Sequence, residues 1–300
     1  LIIASGSLGK YIHLKEFNDA LVRLDVDCKL VKDIEYSNGF PSKKMSEWFF
    51  TSKKFKQLIQ EFKPDAVFVD RQLHFANDVL KAKIPLFVLL RGHYWSEIKW
   101  AKKTKSKGLK RMIIWFRNRI AEKCFEEATA VFPICEWLGN IVKEYHPRQK
   151  TYPFFEGIDA SKWFYQKGMK LMHPCVGLLQ DANTWGKTKE MLILKNVLKS
   201  LPHIHFYWAG GGSYQNKILE SLNEFDNFHH LGRLDYPEKV REFLSEIDIY
   251  ALVSGMDLAP LTLKEAQLME KPVLATKAGG IPEMMDSDKS GFLIKEGDYE

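Results

Sequence analysis

Short apolar runs alternate with longer amphipathic stretches along this 300-residue chain, and the alternation occurs twice. Together with a length too great for one typical domain, these observations predict an α/β fold of two domains. Each domain is expected to hold a parallel sheet with helices on both faces.

In the first half, the runs Leu1–Ala4, Cys28–Val31, Ala66–Val69, Pro85–Leu90 and Ala130–Pro133 are four to six residues long. Their length and lack of polar alternation mark them as strands buried on both faces. Helical spacing of apolar residues lies between them, near Tyr11–Leu24, Met45–Phe62 and Asn77–Ala82, and then near Lys110–Ala128 and Glu136–Tyr145. The second half repeats the scheme with strands near Val176–Leu179, His205–Ala209, Phe228–Leu231, Ile247–Val253 and Val273–Thr276. Helices are expected near Thr188–Leu201, Tyr214–Phe225, Pro237–Ser245 and Leu261–Met269. Two Rossmann-like domains follow, over residues 1–155 and 156–300. The boundary falls in Tyr152-Pro-Phe-Phe-Glu-Gly-Ile-Asp159, where proline and glycine interrupt the pattern. No internal repeat or low-complexity tract is visible.

Composition excludes several classes. Hydrophobic content of 45% and charged content of 27% are those of a globular chain, not a disordered one. The four cysteines, Cys28, Cys124, Cys135 and Cys175, show no CxxC spacing, which argues against a disulfide framework or a zinc site and fits a reducing compartment. No run of 18 apolar residues suggests a membrane span, and no signal peptide is apparent. The chain opens inside an apparent strand without Met, so it reads as trimmed, and missing targeting segments carry no weight.

Charge is unevenly divided. Residues 1–150 hold 28 Lys+Arg against 17 Asp+Glu, whereas residues 151–300 hold 16 against 21. The asymmetry points to an anionic partner for the first half. Lys99–Arg119 carries nine basic residues and no acid, among them Lys102, Lys103, Lys107, Lys110 and Arg111, interleaved with apolar residues including Trp115. Such a segment suits an anionic membrane surface, at about 1 kcal/mol per well-placed basic residue. A solvated lysine loop followed by an ordinary helix is the alternative. No nucleic-acid-binding signature accompanies the basic stretch. The location expected is cytoplasmic, at the inner face of a membrane.

The richest stretch is Asp257-Leu-Ala-Pro-Leu-Thr-Leu-Lys-Glu265, after the strand ending at Val253. Proline tolerates the first helical position, so Pro260 is expected to open a helix with Asp257 on the preceding loop. Glu265 then lies roughly 8 Å along that helix at 1.5 Å per residue. A helix N-terminus offers free N–H groups and a positive dipole to a phosphate. Two carboxylates beside that phosphate can accept hydrogen bonds from sugar hydroxyls. The combination suits a nucleotide sugar.

These residues resemble the acidic-x7-acidic motif of retaining GT-B glycosyltransferases, specifically glycosyltransferase family 4 (glycosyl transferases group 1). The match is close from Ser254 to Glu283 and weaker over most of the chain. The resemblance implies two Rossmann-like domains facing each other across a cleft. It also implies that Asp257 contacts the donor sugar, Glu265 the ribose, and the Leu261 and Thr262 amides the diphosphate. Two departures stand out: Asp257 replaces the usual Glu, and Leu258 the usual glycine.

Sites in open parallel sheets form at the carboxyl ends of strands, and the resemblance gives those loops roles. Gly6 and Gly9, in Ser5-Gly-Ser-Leu-Gly-Lys10, would face the diphosphate and acceptor; a tight turn is the alternative. His93, after the fourth strand, would brace the reacting sugar, or else pack or cap in its loop. Cys135 stands where the family has Ser and reads as structural. Lys187, just before a helix, would neutralise the diphosphate. Leu178 stands where the family has an arginine, and Arg233 or Lys189 could compensate. Gly210, Gly232, Ser254, Gly279, Gly280 and Glu283 complete the donor-side set; Glu283 could equally be a capping carboxylate.

The reaction implied is transfer with retention from a UDP- or GDP-linked sugar to a glycan or lipid-linked acceptor. The leaving diphosphate would help deprotonate the acceptor, and the protein would supply charge and positioning. A metal-dependent GT-A enzyme would need Asp-x-Asp after a strand. Asp25-Val-Asp27 precedes one and Asp286-Ser-Asp288 ends a helix, so no essential metal or cofactor is expected. A catalytically impaired nucleotide-sugar-binding protein and a nucleotide-sugar 2-epimerase remain as alternatives. A dinucleotide dehydrogenase lacks its G-x-G-x-x-G. The helix that crosses back to the first domain at the C-terminus in the family is not seen by Glu300, which reads as a fragment of a longer enzyme.

Overall fold

The computed structural model describes residues 1–6, 8–40, 42, 45–104, 108–286 and 289–298. It divides into two compact units, Leu1–Phe154 and Phe155–Glu300.

The first unit is built on five parallel strands, β1 (Ile2–Ser5), β2 (Lys29–Lys32), β3 (Val67–Val69), β4 (Leu86–Leu90) and β5 (Ala130–Pro133), in the order β2-β1-β3-β4-β5. Ile2, Ile3, Val67, Val88 and Val131 are fully buried, as strands covered on both faces require. Its helices are α1 (Leu8–Arg23), α2 (Asp33–Tyr36), α3 (Lys53–Phe62), α4 (His74–Lys81), α5 (Tyr94–Thr104), α6 (Leu109–Glu127) and α7 (Glu136–Tyr145). The long helix expected over Met45–Phe62 is interrupted. Only a 3-10 turn forms at Met45–Glu47, and Ser52 caps α3 by accepting from Phe55 N at 3.0 Å. A serine oxygen that satisfies an orphan helix-start N–H makes the break favourable.

The second unit holds six parallel strands, β6 (Cys175–Leu179), β7 (His205–Ala209), β8 (Phe228–Gly232), β9 (Ile249–Leu252), β10 (Val273–Thr276) and β11 (Gly291–Ile294). Their order is β11-β10-β9-β6-β7-β8. The period-two geometry of a strand divides the side chains between two cores. Cys175, Tyr207, Tyr250 and Leu252 enter one, and Val176, Leu178, Phe206, Trp208 and Ala251 the other. The helices are α8 (Trp185–Thr188), α9 (Leu194–Ser200), α10 (Gln215–Leu222), α11 (Glu238–Glu246) and α12 (Leu261–Leu268). The continuous helix expected over Thr188–Leu201 is α8 and α9 joined by a 3-10 stretch, Lys189–Ile193. The edge strand β11, which among the described residues pairs with β10, lies outside the strands expected from the sequence.

In the second sheet, connections run outward in both directions from the neighbours β6 and β9. That pair is the switch point where open α/β sheets bind ligands beyond the carboxyl ends. In the first sheet the corresponding neighbours are β1 and β3.

Candidate functional site

The loops leaving β6 and β9 meet at the second unit's switch point. Lys187, placed by the sequence just before a helix, lies within α8 because Thr184 already accepts from the Lys187 and Thr188 amides, each at 3.0 Å. Its Nζ donates to Asp257 Oδ1 at 2.9 Å, and its carbonyl accepts from Gly255 N at 3.2 Å. Two contacts therefore tie the β6–α8 loop to the β9–α12 loop. Asp257 Oδ1 also accepts from Leu258 N at 2.9 Å, and the Asp257 carbonyl accepts from Gly280 N at 2.9 Å. Gly279 has φ 55°, and a Cβ there would lie 2.1 Å from the Asp257 carbonyl oxygen. Glycine is thus demanded twice over, by conformation and by space.

Pro260 is the N-cap of α12 with extended backbone, not its first helical residue. No side chain caps this end, and the Leu261 and Thr262 N–H groups are among those at a helix start that have no intrahelical partner. The Thr262 hydroxyl accepts from Tyr250 Oη at 2.8 Å, which fixes the first turn to the core. Glu265 is only 3% exposed, and burial pushes its carboxyl up to about 7 against a hydrogen bond from Tyr236 that lowers it. Beside it, desolvation lowers Lys264, whose ammonium donates to the Glu156 carbonyl. Lys264 sits inside the motif and Tyr236 is far from it in sequence. Neither was singled out by sequence reasoning, although a lysine adjoining a buried acid is a legible signal.

Other donor-side residues have structural tasks. Ser254 is buried; its N–H donates to Thr276 Oγ1 at 3.0 Å and its hydroxyl to the Met256 carbonyl at 3.2 Å. Gly210 follows β7, where a Cβ would strike the Gln180 carbonyl at 1.9 Å. Gly232 ends β8 with φ 72°. Arg233 reaches the Gly211 carbonyl at 3.5 Å, on the β7–α10 loop. Lys189 instead lies against Gly255, on the same loop pair as Lys187. Leu178 is a fully buried strand residue packed in the Trp208 core. Glu283 lies in a 3-10 turn, Ile281–Met284, with its N–H on the Gly280 carbonyl.

In the first unit, the glycine loop after β1 is shorter than expected. Gly6 remains in it, but Gly9 is already the second residue of α1. The Gly6 N–H donates to Asp70 Oδ1 at 2.6 Å, and Arg71 donates to the Gly6 carbonyl, so the turn is locked to the β3 end of its switch point. His93 precedes α5, and its Nδ1 accepts from Ser96 N at 3.4 Å in the position of a helix cap. The ring packs on Trp137 at 5.7 Å between centroids, and desolvation lowers its pKa. A neutral ring with Nδ1 accepting leaves the Nε2 proton to donate elsewhere.

The basic stretch is more helical than the lysine-loop reading supposed. Lys102 and Lys103 are exposed in the last turn of α5, where the dipole favours cations. Lys110 and Arg111 are exposed in the first turn of α6, where it does not. Leu109, Met112 and Trp115 are exposed beside them, while Ala121, Cys124 and Phe125 bury the far end of α6. Lys107 and Asp288 lie outside the described residues.

Residues 181–300 match the model of a family described as glycosyl transferases group 1. A sulfoquinovosyl transferase of Arabidopsis thaliana is 32% identical over 118 residues, 38% of this chain and 23% of that protein. The chain spans less than half the length of the curated relatives it matches. Among solved structures, a sucrose-phosphate synthase from Thermosynechococcus elongatus superposes with a TM-score of 0.73 at 12% identity, covering 99% of this chain and 86% of that one. HepE from Anabaena, in complex with UDP-glucose, gives 0.68 at 15% identity, with the same two coverages. The chain therefore has the two-domain fold of GT-B glycosyltransferases, and its residues 181–300 match the model of the glycosyl transferases group 1 family.

Proposed function

We propose that the protein is a retaining glycosyltransferase that moves a sugar from a nucleoside-diphosphate sugar to a glycan or lipid-linked acceptor. The observation that carries this reading is the convergence of Lys187, Asp257 and the uncapped start of α12 at the β6/β9 switch point. An anionic diphosphate at that helix start meets the Leu261 and Thr262 N–H groups, the dipole and the Lys187 ammonium. Lys189, against Gly255, supplies the second positive charge that Leu178 cannot. With the diphosphate bound, Lys187 is shared, and Asp257 is released to accept from sugar hydroxyls. Glu265 accepts from the ribose hydroxyls, and the role proposed for His93 is that of a neutral donor through Nε2. Gly279, Gly280 and Glu283 hold the loop that supports Asp257.

Charge stabilisation at the departing diphosphate is the main contribution of these groups. The diphosphate takes the acceptor proton on the face it leaves, which accounts for retention without a dedicated base. No metal ion is assigned to the transfer. UDP is the preferred nucleotide, since the similar HepE structure holds UDP-glucose. The exposed Lys102, Lys103, Lys110, Arg111 and Trp115, at the end of α5 and in the first half of α6, suit an anionic bilayer, which favours a lipid-linked acceptor and peripheral location at the inner membrane face. No helix among the described residues is long and apolar enough to cross a membrane.

Calorimetric titration with UDP, GDP and ADP, each with and without EDTA, tests the donor site. Metal-independent binding of one nucleotide, lost in Glu265→Ala, is the expected result; no binding of any overturns the reading. A binding protein without turnover is the second reading, favoured by the apolar Leu178. Donor hydrolysis or transfer in the presence of the bound nucleotide sugar separates the two.

A further inference from the structure

At the opposite end of β6 and β9, a second cluster of reactive side chains has no part in the reaction proposed above. His173 Nδ1 lies 2.9 Å from Asp248 Oδ2 and 3.7 Å from Cys175 Sγ, and the three ligand-type atoms all fall within 4.8 Å of one another. We propose that His173, Cys175 and Asp248 form a binding site for a divalent transition ion of the zinc type.

Three features support it. The first is spacing. Metal bonds of about 2.0 Å to nitrogen or oxygen and 2.3 Å to sulfur put tetrahedral ligand atoms roughly 3.3–3.6 Å apart. The His–Asp and His–Cys separations bracket that range and the Cys–Asp pair lies within 4.8 Å, so side-chain rotation without backbone movement admits the ion. The second is the donor set. Imidazole, thiolate and carboxylate together suit zinc and its neighbours rather than calcium or magnesium, which prefer oxygen alone. The third is the far side of the ring. His173 Nε2 faces Glu246 Oε1 at 3.0 Å, and a ligating histidine characteristically gives its other ring N–H to a carboxylate.

The frame holding these groups is rigid. His173 and Cys175 are two residues apart, and the bend at His173–Pro174 leaves the ring nitrogen 3.7 Å from the Cys175 sulfur. Cys175 begins β6, and Asp248 immediately precedes β9, its neighbour in the sheet. Cys175 N donates to Asp248 Oδ2 at 2.7 Å, and Asp248 N donates to the Cys175 carbonyl at 3.2 Å. Cys175 is buried, whereas His173 and Asp248 are partly open to solvent, leaving an entry path and a fourth position for water. Five strand residues at about 3.3 Å each separate this cluster from the Lys187 and Asp257 loops by roughly 17 Å. The ion would therefore staple the start of the strand pair whose far ends carry the donor loops, without touching the donor.

Cobalt(II) is the probe for the full chain. One equivalent is expected to give a thiolate-to-cobalt charge-transfer band with intense tetrahedral ligand-field absorption. Cys28→Ser should keep both. His173→Gln, at a solvent-exposed ring, should weaken cobalt binding at least tenfold while circular dichroism stays native, and Cys175→Ser should abolish the charge-transfer band. Zinc should raise the melting temperature of the wild type and not of His173→Gln. Absence of the thiolate band in the wild type, its persistence in His173→Gln, or an equal zinc response in both proteins would overturn the site. Nucleotide binding in EDTA reports separately on the donor site, so the two proposals fail independently.

Discussion

Replacing Glu265 with Gln separates what this carboxylate does for the fold from what it does for a ligand. Burial raises its pKa from 4.5 to about 7, so between those values the folded chain holds a proton that the unfolded chain has released. Stability must then be greatest below pH 4.5 and be lost as pH rises through about 7. At 1.36 kcal/mol per pKa unit the loss is roughly 3 kcal/mol. Glutamine is neutral throughout and keeps an oxygen to accept from Tyr236. Urea unfolding followed by tryptophan fluorescence should find the two proteins alike at low pH. Above pH 7 the ligand-free variant should be more stable by up to about 3 kcal/mol. Ligand binding should move in the opposite sense. Losing a charged acceptor for the ribose hydroxyls costs about 1.5–3 kcal/mol, or roughly 10- to 100-fold in affinity for the nucleoside diphosphate. Wild-type affinity should rise as pH increases through 7, because the hydroxyls favour the ionised carboxylate, and the variant's should not. Parallel stability profiles for the two proteins, or a variant less stable above pH 7, would refute the assignment of a strained buried acid.

Three further outcomes are expected. Lys187→Met leaves the partly buried Asp257 without its ammonium and should cost about 1–2 kcal/mol in thermal or urea unfolding; adding Asp257→Asn should restore stability but not donor binding, whereas restored binding would remove both residues from the site. Gly279→Ala forces a Cβ against the Asp257 carbonyl at positive φ, and should lower stability by roughly 2 kcal/mol or more and weaken nucleotide binding, measured by melting and calorimetry. Exchanging Lys102, Lys103, Lys110 and Arg111 for Gln should remove about 4 kcal/mol of attraction to phosphatidylserine-rich vesicles in a low-salt sedimentation assay; unchanged sedimentation would dissolve the membrane face and leave a solvated basic surface.

The local code of the chain was legible where one interaction dominates. The central apolar runs are strands because a segment buried on both sheet faces must be apolar throughout, whereas the edge strands β2 and β8 keep Lys29, His229 and His230 partly or fully exposed. The acidic-x7-acidic spacing put Asp257 on a loop and Glu265 inside a helix, since proline marks the boundary between them. Where two local solutions compete within a kilocalorie or so, the sequence was ambiguous. Ser52 broke a helix that apolar spacing alone would continue. Gly9 joined α1 rather than the loop before it. Gly291–Ile294 became a strand only because β10 offered it an edge.

What the sequence by itself determined is therefore the two-domain α/β plan and the identity of the loops that carry the candidate chemistry. These follow from period and punctuation, which act between near neighbours. Tertiary structure decided which distant side chains meet. Lys187 and Asp257 are 70 residues apart and share a hydrogen bond because β6 and β9 are neighbours in the sheet. The same pairing brings Cys175 and Asp248 together at its other end, which cysteine spacing could not disclose. It also sets the environment of Glu265. Burial within the fold, not the residue type, makes that carboxylate titrate near neutrality, because desolvation depends on every element packed around it.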